Sequence, residues 1–246
     1  MLMKRISWSL KGKVALLLLT CISHSALSAV RPQLTRAIAY AADKETAVEI
    51  INDAPNSYMI QSWMEDLNGR DDNIPIVLTP PVMKLNGGNE GKLRLVVIPS
   101  QVPQDRESVY WLNIQEIPPK SKASIDNKLV IAIRSRMKVF VRPVGFNYED
   151  ARDAVNKLTW SVEKEGGKTW LKAKNNSAYY ISFGKLALKQ GTKAEVMLDD
   201  KFHMPPPFGS QRYEVPQNIS GSVKLIYSAV HDYGGAGKEF TTEVNL

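Results

Sequence analysis

The chain has 246 residues, enough for two domains of ordinary size, and a formal net charge of +7. Four basic residues and no acidic residue fall within the first 28 positions, so subtracting them leaves +3 for the remainder. This mild excess does not favour a nucleic-acid partner. The single cysteine, Cys21, also lies in that first stretch. The rest of the chain therefore has no thiol for a disulfide, for redox chemistry or for a cysteine-ligated metal.

Residues 1–28 are typical of a secretory signal peptide. A basic start precedes the apolar stretch "VALLLLTCI" at 14–22, and the small residues of "SHSALSA" follow it. The apolar stretch is far shorter than the roughly 20 residues that span a bilayer, which disfavours an anchor helix and stable membrane insertion. Ala26 and Ser28 fit cleavage after Ser28, and cleavage after Ala29 is the alternative. We therefore expect a secreted protein.

Strand patterns dominate the first half of the mature chain. They combine β-branched residues with period-two alternation, and turn residues such as those of "LNGRDDN" and "NGGNEG" separate them. The seven predicted strands are "AIAY" after Arg36, 46–52, 58–65, 74–78, 92–98, 107–117 and 128–142. Seven short strands at this spacing predict an antiparallel sandwich of immunoglobulin type.

The last of these strands, "LVIAIRSRMKVFVR", is long and changes character along its length. Leu129, Ile131 and Ile133 alternate in its first half, and its second half is basic. Taken alone, the alternating aliphatic residues are most simply interpreted as ordinary core positions.

A domain boundary is predicted after Pro143. The stretch "VGFNYEDARDAVNK" is polar and lacks strand alternation, and a second series of strand patterns follows it. About 100 residues suffice for another sandwich. The predicted organisation is all-β, with a signal peptide at 1–28, an N-terminal immunoglobulin-like domain at 29–146 and a C-terminal one at 147–246.

The sequence contains few residues or motifs that are typical of an enzyme active site. After the signal it has two histidines, His203 and His231, and no cluster of metal-ligating residues at a suitable spacing. No G-x-S-x-G motif is present. The stretch "GGNEGK" is one residue short of a phosphate-binding loop, and Leu93 stands where that loop has Ser or Thr. We expect no catalysis, no cofactor and no metal.

Six segments together resemble one family. They are "LTRAIAY", "TPPVMKL", "PQDRESVYWLNIQEIPP", "IRSRMKVFVRP", "NNSAYYISFGKL" and "HDYGG", and they resemble the periplasmic pilus-assembly chaperones of the chaperone–usher pathway. The resemblance implies two immunoglobulin-like β-sandwich domains arranged as a boomerang with an interdomain cleft. It implies a periplasmic chaperone whose partners are pilus subunits and an outer-membrane usher. Self-association of the free protein is left open.

The same resemblance implies how a subunit is held. In donor-strand complementation the chaperone supplies a strand that the subunit lacks, and Leu129, Ile131 and Ile133 are expected to enter the subunit's groove. This overrides their interpretation as core residues. Arg36 and Lys138 match the two cations that anchor the subunit's C-terminal carboxylate. Counting along the strand places Lys138 on the opposite face from Ile133, and the sequence does not reconcile the two.

Other charged residues are expected to have structural or solvated roles. By the resemblance, Glu107, Arg142 and Asp232 match an interdomain ion network that fixes the angle between domains. Arg134 and Arg136 are expected to be ordinary solvated charges. The alternative function is a secreted β-sandwich adhesin or a carbohydrate- or peptide-binding module. A hydrolase on a β scaffold is disfavoured.

Overall fold

The structure is a computed structural model that describes residues 29–119, 131–198 and 203–246. The predicted signal peptide, the beginning of the predicted strand 128–142 and the predicted groove contact Leu129 lie outside the described residues. In the part of the chain that is described, no helix has the length and apolar character needed to cross a bilayer.

Two sheets form the first domain. Its strands are β1 Val30–Pro32, β2 Arg36–Tyr40, β3 Thr46–Asn52, β4 Tyr58–Glu65, β5 Ile76–Thr79, β6 Val82–Leu85, β7 Glu90–Val97, β8 Ser108–Ile117 and β9 Arg134–Arg142. One sheet has the order β1-β3-β7-β5 and the other has the order β2-β9-β8-β4-β6. A single 3-10 turn, Pro99–Gln101, lies between β7 and β8.

The first core lies between these two sheets and follows from the alternation of the strands. In β9, Met137, Val139 and Val141 point inward and are at most 3% exposed. They meet residues such as Ile50 and Leu95 from the opposite sheet. Burial of each such aliphatic side chain contributes about 1.5–3 kcal/mol, so apolar packing holds the sandwich together without a disulfide.

One strand pair departs from the predicted antiparallel arrangement. β1 pairs antiparallel with β3, whereas β2 pairs parallel with β9. The last residue of β1 is Pro32, which has no amide hydrogen to extend the ladder. The chain then crosses to the other sheet without reversing direction, so that β2 runs alongside β9 in the same sense.

Strand β9 is also shorter than the predicted strand 128–142. Its ladder with β8 ends at the pair Gln115 and Arg134. Residues 131–133 precede the strand. The Ile133 carbonyl accepts from the Glu116 amide and from the Gln115 side chain, and the Ile133 amide donates to the Glu116 carboxylate. The alternation in the sequence includes the residues before Arg134, but the ladder between β8 and β9 ends at Arg134 although β8 itself runs on to Ile117.

The second domain begins with a short helix. Asn147 caps helix α1, Tyr148–Asp153, by accepting a hydrogen bond from the Asp150 amide at 2.8 Å, and a 3-10 turn, Ala154–Lys157, follows. The strands are β10 Leu158–Glu165, β11 Lys168–Asn175, β12 Phe183–Lys189, β13 Val196–Met197, β14 Ser210–Val215, β15 Ser222–Val230 and β16 Ala236–Asn245. They form sheets with the orders β10-β11-β14 and β13-β12-β15-β16 around a second core.

A small apolar cluster joins the two domains. Val109 and Phe140, on the outer face of the β8–β9 pair, pack with Met204 of the second domain. The Phe140 ring also meets the Tyr180 ring edge-on, with centroids 6.4 Å apart. The second domain therefore covers the outer face of β9 around Phe140, whereas Arg134 and Arg136, nearer the beginning of the same face, are exposed.

Candidate functional site

Arg36 and Lys138 lie side by side. They are register partners in the parallel β2–β9 ladder, and partners in a ladder project their side chains to the same face of the sheet. The Arg36 guanidinium lies 5.5 Å from the Phe140 ring centroid and donates to the Val230 carbonyl of the second domain at 3.4 Å. The Lys138 ammonium lies 5.6 Å from the centroid of the Trp111 ring. Both side chains are half-buried at the domain junction.

The pair carries charge that its surroundings do not neutralise locally. Among the described residues, neither side chain has a carboxylate within ion-pair distance, and the buried Nε of Arg36 has no hydrogen-bond partner. Burial, reinforced by the charge of Arg36, lowers the pKa of Lys138 from 10.5 to about 8. Burial also lowers the pKa of Arg36, although Asp232 and Glu107 act in the opposite direction. An anion placed between these two groups would relieve both effects.

Arg142 bridges the domains next to this pair. Its Nε donates to Glu107 Oε1 at 2.9 Å, and its Nη1 and Nη2 donate to the two carboxylate oxygens of Asp232 at 2.7 and 2.8 Å. The second oxygen of Glu107 accepts from the Tyr180 amide at 2.9 Å. The structure thus brings together all three residues of the predicted ion network, with Arg142 and Glu107 in the first domain and Asp232 in the second.

The network is deeply buried. Glu107 and Arg142 are each 2% exposed. Burial raises the pKa of Glu107 to about 7 against the opposing effect of Arg142. Burial alone lowers the pKa of Arg142, but the hydrogen bonds and charges of Asp232 and Glu107 outweigh it and raise that pKa above its ordinary value. The loss of either partner of such a pair would leave an uncompensated charge in the interior.

The first half of β9 has an open edge. β8 pairs with β9 over Arg134–Val141, but β2 pairs with it only over Lys138–Arg142. Within the described residues, nothing pairs with Arg134–Met137 on the β2 side. The backbone groups that face this side can be assigned, because the Arg142 carbonyl accepts from Ala41 after β2 and the Ile133 carbonyl accepts from Glu116 on β8. Since successive residues face opposite edges, the amides and carbonyls of Arg134 and Arg136 face the open side.

The predicted groove contacts that the structure describes are exposed. Ile131 is 66% exposed and Ile133 is 38% exposed, whereas Val139 on the same strand face is completely buried. Ile131 and Ile133 lie where the core of the first domain has ended, before the ladder begins. The isoleucines therefore precede β9, whereas Lys138 lies five residues after Ile133, within β9, and pairs with Arg36.

Two residues at the site were not singled out from the sequence. Glu116 is 4% exposed, and its carboxylate accepts from the amides of Val30 at 3.0 Å and Ile133 at 3.4 Å. The sequence did contain a signal for Glu116. It follows Leu112 and Ile114 at a spacing of two residues, so it falls on the inward face of β8, where an acidic residue is rare unless it is paired. Trp111 lies between the cations of Arg136 and Lys138, at 4.7 and 5.6 Å. An aromatic residue on an outward face carries no such signal by itself.

The described residues contain no group of three His, Cys, Asp or Glu side chains placed to hold a metal ion. The arrangement they do contain can bind a carboxylate through two cations, and it can accept a further strand along an open edge.

Comparisons with known proteins identify the family. Residues 29–147 match the family model "Pili and flagellar-assembly chaperone, PapD N-terminal domain", and residues 153–241 match "Pili assembly chaperone PapD, C-terminal domain". The chain belongs to the pilus-assembly chaperone family. Chaperone protein LpfB of Salmonella typhimurium is 35% identical to this chaperone over 94% of this chain and 96% of its own. The probable fimbrial chaperone YadV of Escherichia coli K12 is 31% identical over 92% and 95%.

Solved structures agree with this assignment. The crystal structure of the YadV chaperone is 28% identical to this chaperone, with a TM-score of 0.73 over 88% of this chain and 100% of its own. The SafB chaperone of Salmonella enterica, solved in complex with the SafA pilin, has the same TM-score at 21% identity and covers 90% and 99% of the two chains. That second likeness shows the fold. The two-domain all-β architecture is thus that of the family.

Proposed function

We propose that this chaperone holds a pilus subunit by lending it the open edge of β9. The observation that carries this proposal is the position of the cation pair. Arg36 stands at the beginning of β2, where the β2–β9 ladder starts, and the unpaired Arg134–Met137 stretch leads directly up to it. A strand added there would end against Arg36 and Lys138.

The direction of the added strand follows from this geometry. A C-terminal carboxylate can meet the cations at the Lys138 level only if the chain that carries it runs in the same direction as β9. The added strand would therefore be parallel to β9 and in line with β2. It would pair with the amides and carbonyls of Arg134 and Arg136, which face that side.

The opposite faces of Lys138 and Ile133 are compatible with this arrangement. A terminal carboxylate belongs to the backbone and lies in the plane of the sheet, so a lysine on the outer face can reach it. Ile131 and Ile133 lie just before β9, at positions that continue its inward face, and we propose that their exposed side chains fill a partner's apolar groove. The cation on the outer face would thus bind the carboxylate, and the isoleucines on the inward face would contact the apolar groove.

The remaining assignments complete the proposal. The ion network of Arg142 would fix the domain angle and keep the cation pair at the junction. The domain division at 29–146 and 147–246 is supported by the two matched family models. We place the chaperone in the periplasm after removal of residues 1–28, delivering subunits to an outer-membrane usher.

Recovery of subunits from the periplasm tests the anchor. We expect Arg36→Ala and Lys138→Ala to leave a folded, secreted protein and to reduce recovery of subunits with a tagged chaperone about 30-fold or more, because truncating one member of a desolvated charge pair costs about 2–5 kcal/mol. Lys84→Ala and Arg94→Ala are matched controls, since both remove an exposed cation from a strand of the same domain. Full recovery with both anchor variants would contradict the proposal.

A further inference from the structure

Arg134 and Arg136 form a basic row beside the open edge. In the β8–β9 ladder, Gln115 pairs with Arg134, Asn113 with Arg136 and Trp111 with Lys138. Arg134, Arg136 and Lys138 therefore project from the same outer face. Arg134 and Arg136 thus lie along the stretch of β9 that β2 leaves unpaired, and Lys138 lies at its end, where the pairing with β2 begins.

The described residues compensate this row only in part. Arg136 Nη2 donates to Glu65 Oε2 at 2.9 Å. Glu65 Oε1 accepts from the Trp63 indole at 2.8 Å, and this hydrogen bond leads the interactions that lower the pKa of Glu65. Arg134 lies 6.0 Å from the Trp63 ring centroid and has no carboxylate within ion-pair distance among the described residues. Among the described residues, the three cations of this row therefore have one carboxylate, that of Glu65, within ion-pair distance.

An added strand would bring its own side chains into this row. Neighbours in a parallel ladder project to the same face at the same level, so every second residue of the added strand would stand beside Arg134 or Arg136. The residues between them would project to the opposite face, beside Ser135 and Met137. This is the inward face, on which Ile133 also lies.

We propose that the terminal strand of the partner carries acidic side chains on the face beside Arg134 and Arg136 and apolar side chains on the other. This inference rests on the proposed function and names the partner's chemistry more closely. An acidic side chain would complete the charge balance of the row, a neutral one would leave the arginines partly desolvated without a counter-charge, and a basic one would repel them.

Synthetic peptides of about seven residues with a free C-terminal carboxylate provide the probe. Valine alternates with aspartate, with serine or with lysine, and each peptide is made in both phases because a one-residue shift exchanges the two faces. Fluorescence anisotropy with the intact mature chaperone measures affinity. In the better-binding phase we expect the aspartate peptide to bind about three- to tenfold more tightly than the serine peptide, and the lysine peptide to bind most weakly.

A double variant isolates the arginines. In Arg134→Gln with Arg136→Gln the advantage of aspartate over serine should disappear, whereas Lys84→Gln with Arg94→Gln should retain it. Equal affinity of the aspartate and serine peptides for the unaltered chaperone would overturn the inference, and so would an advantage that survives in the double arginine variant.

Amidation of the peptide C-terminus tests the proposed function separately. If amidation weakens binding while aspartate and serine bind equally, the carboxylate anchor stands and only the acidic preference fails. If amidation has no effect, the carboxylate anchor is contradicted, and if no peptide binds, strand addition is contradicted. In either case the proposed function fails and the inference falls with it.

Discussion

Replacement of Lys138 by methionine should stabilise the free chaperone while damaging its function. The Lys138 ammonium lies 5.6 Å from the Trp111 ring centroid, and a methionine side chain of similar length can contact that ring without a charge. In the unaltered protein the Lys138 ammonium is half-buried beside Arg36, and among the described residues it has no carboxylate partner. The native state therefore carries a charge that folding disfavours and that a bound carboxylate would relieve.

The size and sign of this effect follow from the pKa of Lys138. That pKa falls from 10.5 to about 8 on folding, so the folded state binds the proton less tightly than the unfolded state. The penalty is complete below about pH 8 and disappears as the pH rises towards about 10.5. Its upper limit is about 3 kcal/mol, and the partial exposure of the ammonium group reduces the expected value to about 1–2 kcal/mol.

Urea unfolding at about pH 7 and about pH 10 measures the effect. Lys138→Met should be more stable than the unaltered protein at the lower pH, and the difference should shrink at the higher pH. The control Lys84→Met removes an exposed lysine and should change stability by less than about 0.5 kcal/mol at either pH. A variant that is no more stable at the lower pH, or a gain that is independent of pH, would refute the idea that Lys138 is a poorly compensated cation.

Three further predictions concern the scaffold, and chemical unfolding monitored by circular dichroism measures each. Arg142→Leu should cost about 3–5 kcal/mol, because it leaves a buried glutamate without its partner; a loss below 1 kcal/mol would contradict this. Gly234→Ala should cost about 1–3 kcal/mol, since the glycine has φ of +83° and an added Cβ would lie 2.5 Å from Thr35 Oγ1; an unchanged stability would show that the turn can adapt. Ile131→Ser should leave the free energy of unfolding nearly unchanged, whereas Val139→Ser on the buried part of the same face should cost about 2–4 kcal/mol. Equal losses at both positions would show that Ile131 belongs to the core.

The sequence predicted the sandwiches because alternation is a local property. The β-branched run around Val139 and Val141 identifies a strand whose odd positions are buried, and the turn residues between runs separate the strands. What the pattern could not predict was where that strand loses its partner. Residues 131–133 continue the alternation, and only the register with β8 shows that the ladder stops at Arg134.

Features that depend on pairing between distant segments of the chain could not be predicted from the sequence either. Parallel pairing of β2 with β9 requires the chain to change sheets after Pro32, and no period or propensity records that change. The role of Glu116, which joins the amides of Val30 and Ile133, appears only when distant segments are brought together. The resemblance to the family supplied Arg36 and Lys138, since an isolated cation has many uses in a strand.

Hydrogen exchange at single amides of β9, measured by nuclear magnetic resonance, tests the central claim most directly. In the free chaperone the amides of Arg134 and Arg136, which face the open edge, should exchange rapidly, whereas those of Ser135 and Met137, which face β8, should be protected. Binding of a subunit should slow exchange at Arg134 and Arg136. Amides that are already protected in the free protein, or that remain rapid when a subunit is bound, would show that this edge is not where the partner's strand is added.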